Sequence, residues 1–307
     1  MTTVRFSQNR VKALRPERTP CPAGEAPRFE VVAEEVFRRY GQRWKPATFT
    51  VNRSYLRNQI LPWFQGQPVT SITHRDVQRW LASLHETPAA ANRSLPVLSV
   101  IMRQAEIYGC RPVDTNPCTG VRRYRQRGRE RFLTVQELHR LGAVLDQREI
   151  GAPLPAAVVR LLLLTGCRQS ELRTLRWTEY REGHLFLRDS KTGPRTVWLS
   201  SAARRVLDGL PRASSWVFPA AAGDGPLSTE TLHGWWRSAR AAATLHDVRL
   251  HDLRHSYASF ALRQGETVLT IGRLLGHRDP ATTLKYTHFA DTLAHDAVAV
   301  VGAALAG

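Results

Sequence analysis

The stretch HDLRHSYASF runs from His251 to Phe260 and holds an arginine between two histidines. On a helix, residues three or four apart share a face, so His251, Arg254 and His255 would project together. Two chemistries use such spacing. Histidines four apart have the spacing of a zinc site, but zincins place Glu after the first histidine. Asp252 stands there, short for a general base, and the charge of Arg254 opposes a divalent cation. A phosphate fits better. Arginine offers a two-pronged donor to a pair of non-bridging oxygens, and histidine can give or take a proton. The stretch predicts a phosphate clamp without metal ligands. Its small residues Ser256, Ala258, Ser259 and Ala261 would let the helix lie close to a neighbour.

Other positions carry chemistry of the same kind. In LLLLTGCRQSEL, Gly166 interrupts a buried helix and Arg168 opens the next, with Glu171 three residues on. Such a pair is commonly a surface ion bridge. Four leucines just before it place this arginine near a core, where a guanidinium needs a carboxylate. Lys191 sits at a turn between two strand-like runs, with Thr192 and Gly193 beside it. His277 follows Gly276, the stop of a helix, and Thr282 and Thr283 can cap a short helix that presents Tyr286. Singly, the lysine is a solvated amine, the histidine a helix-end imidazole and the tyrosine a half-buried phenol. Jointly, Arg168, Lys191, His251, Arg254, His277 and Tyr286 suit attack of a tyrosine on a phosphodiester. The arginines would neutralise phosphoryl charge in the transition state. A lysine or histidine would protonate the leaving alkoxide. No carboxylate cluster for Mg²⁺ and no Gly-rich phosphate loop accompanies them, so the expectation is no cofactor and no metal.

The elements that must position these residues are mostly helical. Residues 1–27 are rich in Pro and Arg, lack periodicity and read as a flexible basic arm. Phe29, Val32, Val36, Tyr40 and Trp44 recur at helical spacing, and Val51, Tyr55, Ile60 and Leu61 mark a second helix. Thr73 and Asp76 form a capping box before Val77, Trp80, Leu81 and Leu84, and a fourth helix runs from about Pro88 to Gly109. RRYRQRGRER, residues 122–131, has six arginines against one Glu and reads as a linker. Arg122, Arg123, Arg125, Arg127 and Arg129 would suit a strap along a DNA backbone. Beyond it, Thr134 and Glu137 repeat the capping-box signature. Helices are expected at about 134–148, 155–165, 168–176, 201–209, 228–243, 250–264 and 267–276. HLFLR and TVWLS alternate like the two strands of a hairpin. A final small-residue helix covers 291–307, with Val298, Val300, Val301 and Leu305 as anchors in its own subunit or a neighbour's.

Composition narrows the partner. The 307 residues suffice for two domains, and 42% are hydrophobic, as in folded proteins. Net charge is +18, from 44 Lys+Arg against 26 Asp+Glu, which points to a polyanion. No apolar run is long enough for a membrane span, and the first residues show no secretory h-region. Cys21, Cys110, Cys118 and Cys167 have neither zinc-ribbon nor disulfide-framework spacing, so reduced cytosolic thiols are expected.

TGCRQSELRTLRW, KTGPR, HDLRHSYAS, LLGH and TTLKYTH occur in the block order of the tyrosine recombinases, also called phage integrases. The chain resembles that family over about residues 29–290, most strongly from 131 on. The resemblance implies a mainly α fold of the compact, Xer-like type. A small helical core-binding domain, 28–121, would be joined by the linker 122–131 to a larger α-rich catalytic domain, 132–290, with a small antiparallel β-sheet. The two would form a clamp on duplex DNA. It implies Arg168 and Arg254 on the scissile phosphate, His251 and His277 completing the pocket, and Glu171 orienting it. Lys191 would be the acid to the 5′-oxygen, and Tyr286 the nucleophile that forms a 3′-phosphotyrosyl link. The partners implied are double-stranded DNA with a specific recombination site and further copies of the chain, a dimer per site and a tetramer in the synapse. No membrane and no small-molecule substrate are expected, and the setting would be the cytoplasm of a bacterium or phage host, near the nucleoid. Integration, excision and resolution share this chemistry. A type IB topoisomerase and a DNA-binding regulator without catalysis are the alternatives.

Overall fold

The computed structural model describes residues 26–126, 131–188, 190, 193–221, 224–277, 279 and 281–284. The chain divides into two compact units, residues 1–128 and 129–307.

The first unit is helical. Helices α1 (Phe29–Arg39) and α2 (Pro46–Tyr55) lead through a π turn (Leu56–Ile60) into α3 (Leu61–Phe64), then α4 (His74–Ser83) and α5 (Pro88–Ile107). The π turn corrects the phase expected for the second helix. Pro62 has no N–H to give a regular helical bond, and Leu61 N–H bonds back to Leu56 O across the wider turn. Leu56, Ile60 and Phe64 are thereby buried, while Val51 lies half exposed. The Thr73–Asp76 capping box forms as expected. Its two hydrogen bonds from Thr73, with Arg79, hold the Asp76 carboxyl down at about 2. Within the arginine-rich segment, Tyr124 is pinned to this unit. Its N–H meets Asn92 Oδ1 at 2.9 Å, Asn92 Nδ2 returns to Tyr124 O at 2.8 Å, and its hydroxyl donates to Leu81 O at 2.9 Å.

The second unit wraps helices around α7 (Pro153–Thr165), preceded by α6 (Val135–Glu149). The helix expected at 168–176 is only α8 (Gln169–Arg173). It stops early because the chain turns extended to pair with another loop: Val217 N–H donates to Leu175 O and Trp177 N–H to Ser215 O. The sheet has three strands, β1 (Tyr180–Arg181), β2 (His184–Leu187) and β3 (Arg195–Trp198), antiparallel and in sequence order. The sequence reading missed β1. Its turn is Glu182-Gly183, both at positive φ, as a two-residue hairpin loop requires. Then follow α9 (Ser201–Asp208), α10 (Thr229–Ala242), α11 (Leu250–Arg263), α12 (Val268–Leu275) and α13 (Ala281–Leu284). The Thr134–Glu137 box caps α6.

Gly166 sets the close approach that the site needs. It ends α7 at φ 61°, and a Cβ there would lie 2.5 Å from Tyr257 Cδ1 and 2.8 Å from Leu275 Cδ2. Only glycine lets the end of α7 close against α11 and α12. Among the described residues, no helix is long and apolar enough to cross a membrane.

Candidate active site

Arg168 is the N-cap of α8, so its side chain stands at the gap opened by Gly166. Its backbone N–H donates to Glu171 Oε2 and its Nη1 to Glu171 Oε1, both at 2.8 Å. Glu171 is almost fully buried. Burial alone would raise its carboxyl. The hydrogen bond and charge of Arg195, followed by the bonds from Arg168, outweigh burial and carry it below the usual glutamate range.

Arg254 projects from α11 into the same region. Its Nη1 donates to Gly166 O at 2.6 Å and its Nη2 to Leu275 O at 2.7 Å. Both carbonyls lie at the C-terminal ends of helices, where unpaired oxygens carry partial negative charge. Arg168 Nη2 reaches Gly276 O at 3.4 Å. Arg195, from the first position of β3, donates Nη2 to Glu171 Oε2 at 2.8 Å and Nη1 to Leu274 O at 2.9 Å. Arg168 and Arg195 therefore share one carboxylate, while Arg254 ties the ends of α7 and α12 together beside them. The neighbouring Cys167 thiol does not add a second anion, because burial pushes its pKa up. The excess cation shows on Arg254. Burial first, then the charges of Arg168 and Arg195, bring its guanidinium down to about 10.

His277 follows the left-handed Gly276 that ends α12, and its N–H bonds to Gly272 O. Its Nδ1 lies 2.7 Å from Thr283 Oγ1 of α13. His251 faces elsewhere in part. It is exposed, its ring meets His255 edge-on at 4.7 Å, and it lines a cleft of about 320 Å³ with Gln169, His233, Arg237, Arg240 and Arg249. That cleft is cationic and abuts the arginine site, since His233 Nε2 lies 2.9 Å from Gln169 Oε1, next to Arg168. His255 packs its ring against Phe132. A larger cleft of about 670 Å³ between α6, α7, α9 and α11 contains none of these groups.

The structure thus brings together Arg168, Glu171 and Arg254, with His277 just beyond them. Lys191, Tyr286, Arg127 and Arg129 lie outside the described residues, and so do 1–25 of the basic arm and all of 291–307. Arg122, Arg123 and Arg125 are exposed on the first unit. Sequence reasoning passed over Arg195, and it read Thr282 and Thr283 as helix caps, whereas both lie inside α13 and Thr283 turns to His277. Arg195 had a readable signal: it lies two before the buried Val197, hence on the inward side of a strand where an apolar residue is the norm. The pairing of Thr283 with His277 had none, because the two meet only through the turn after Gly276.

Three guanidiniums gathered beside one carboxylate leave a net positive charge that an anion would balance, and the fork of an arginine matches phosphoryl oxygens. Residues 131–292 match the model of the phage integrase family, and residues 28–85 match that of the phage integrase N-terminal SAM-like domain. The chain belongs to the phage integrase family. Tyrosine recombinase XerD of Brucella suis biovar 1 (strain 1330) is 36% identical over 155 residues, covering 46% of this chain and 50% of the relative. The chain spans about half the length of that relative. XerD of Rhizobium meliloti (strain 1021) is 28% identical over 266 residues, 80% of this chain and 84% of the relative. The fold is that of a lambda integrase dimer bound to a COC′ core site, with TM-score 0.70 at 21% identity over 85% of this chain and 77% of that one. The Tn1549 transposon integrase (aa 82–397) in complex with circular intermediate DNA gives TM-score 0.65 at 16% identity, over 84% of this chain and 94% of that one.

Proposed function

We propose that the protein is a site-specific DNA recombinase that breaks and rejoins strands through a 3′-phosphotyrosyl intermediate. The observation that carries this reading is the meeting of two guanidiniums, Arg168 held by Glu171 and Arg254 held by the helix-end carbonyls of Gly166 and Leu275, at one cationic place that an anion would balance. Arg168 and Arg254 hold the non-bridging oxygens of the scissile phosphate, and His277 donates to the same group. The Tyr286 oxygen attacks phosphorus, and its proton passes to His251. The new bond is phosphorus to tyrosine oxygen, and the bond broken is phosphorus to the 5′-oxygen. That oxygen takes a proton from Lys191 and leaves as a hydroxyl. A 5′-hydroxyl from a partner strand reverses the steps. The ester keeps the bond energy, so strand exchange draws on no nucleotide triphosphate and no metal.

The partners proposed are duplex DNA carrying a recombination site and further copies of this chain. Lambda integrase is seen as a dimer on a core site and as a tetramer on a Holliday junction. The same assembly is assigned here, acting in the cytoplasm at the nucleoid. The core-binding unit, the basic segment with Arg122, Arg123, Arg125, Arg127 and Arg129, and the catalytic unit together grip the duplex.

The test is to incubate the protein with its flanking genomic DNA in EDTA, denature, and sequence the ends attached to protein. One discrete site bearing a protein-linked 3′-end and a free 5′-hydroxyl is the expected result. Attachment scattered over the fragment would favour a topoisomerase, and no attachment in EDTA would overturn the metal-free mechanism.

A further inference from the structure

Arg195 is a buried cation that the steps above leave without a role. Its side chain is 9% exposed. Two of its nitrogens are engaged, while Nε is buried without a hydrogen-bond partner among the described residues. An arginine held this way carries a desolvation cost that a methionine filling the same space would avoid. The surroundings are built for it all the same. Gly276 has no side chain, and a Cβ there would lie 2.5 Å from Arg195 Cδ.

The two prongs of the fork do different jobs. Nη2 holds Glu171 Oε2, the oxygen that also takes the Arg168 N–H, so it fixes the carboxylate that aims Arg168. Nη1 holds Leu274 O in the last turn of α12, whose next carbonyl, Leu275 O, is held by Arg254. His277 begins where that turn ends. Resting on the reading that Arg168 and Arg254 grip the scissile phosphate, we infer that Arg195 is a positioning residue that locks both arginines into one frame. It aims Arg168 through Glu171 and Arg254 through the end of α12. The effect on Glu171 points the same way. Arg195 is the largest influence lowering that carboxyl against its burial, so its loss weakens the hold of the carboxylate on Arg168.

Charge alone does not meet the requirement. A lysine carries the charge on one nitrogen and cannot span Glu171 and Leu274 at the fork's geometry. The experiment measures adduct formation by Arg195→Ala, Arg195→Lys and Arg168→Ala on the recovered recombination site. Each is assayed with an ordinary scissile phosphate and with a methylphosphonate there, which removes the charged oxygen the arginines serve. Arg195→Ala and Arg195→Lys should both slow the ordinary reaction about 10- to 100-fold, as loss of an outer support does elsewhere. DNA affinity should stay unchanged, and the defect should shrink on the methylphosphonate as it does for Arg168→Ala. Wild-type rates in Arg195→Lys would overturn the inference. So would an equal Arg195 defect on both substrates beside a relieved Arg168→Ala. No relief in Arg168→Ala would instead remove the phosphate-clamp reading itself. If Arg195→Ala melts below the assay temperature, Arg195→Lys decides by the same comparison.

Discussion

Arg254 carries the cost of a buried cation. Burial, and then the charges of two other cations, bring its guanidinium down to about 10, well below the usual arginine range. The sign follows from linkage. Between about 10 and the higher, ordinary arginine value the unfolded chain holds this proton and the folded chain releases it, so folding is favoured as pH rises there. Below about 10 the folded protein bears the full cost of the buried charge. In the reading proposed above a phosphate beside Arg254 would offset that cost, so DNA affinity should decline as pH rises through about 10, the range in which Arg254 loses its proton. The comparison is Tyr286→Phe against Tyr286→Phe with Arg254→Ala, by fluorescence anisotropy across that range. The first should show the decline and the second should lack it; identical profiles would place the ligand elsewhere. Glu171 behaves in the opposite sense. Its carboxyl lies below the usual value of 4.5, so its contribution to stability is present above that value and is lost as pH falls through the folded one.

At the scale of elements, the legible features were those written in local chemistry. Both capping boxes, Thr73 with Asp76 and Thr134 with Glu137, mark helix starts in the sequence and in the fold. Arg168 and Glu171 also pair as their spacing suggested. Features set by distant partners were not legible. The early end of α8 depends on pairing of Leu175 with Val217, forty-odd residues away in the chain. The phase of the second helix depends on a bond across the turn before Pro62. The anchoring of Tyr124 depends on Asn92 in α5. This last contact carries a prediction. Asn92→Ala removes two hydrogen bonds and should cost about 1–3 kcal/mol of stability at roughly 0.5–1.5 kcal/mol each. The amides of residues 121–126 should lose hydrogen-exchange protection, and DNA affinity should fall because Arg122, Arg123 and Arg125 lose their fixed base. Unchanged protection would show that Asn92 does not hold the segment.

At the scale of the molecule, the net charge of +18 calls for a polyanion, and its effect has a measurable slope. Each phosphate neutralised releases counterions, so the logarithm of affinity should fall linearly with the logarithm of salt by about 0.9 per contact. Contact with roughly six to ten phosphates would cost about 10³- to 10⁵-fold between about 50 and 200 mM salt. A flat response in a filter-binding titration would contradict a basic clamp. Tyr286 is the residue proposed to form the covalent bond, and its substitution is the most direct test. Tyr286→Phe should bind the recombination site with wild-type affinity and leave no protein-linked DNA on a denaturing gel. A covalent band persisting with that variant would contradict the account.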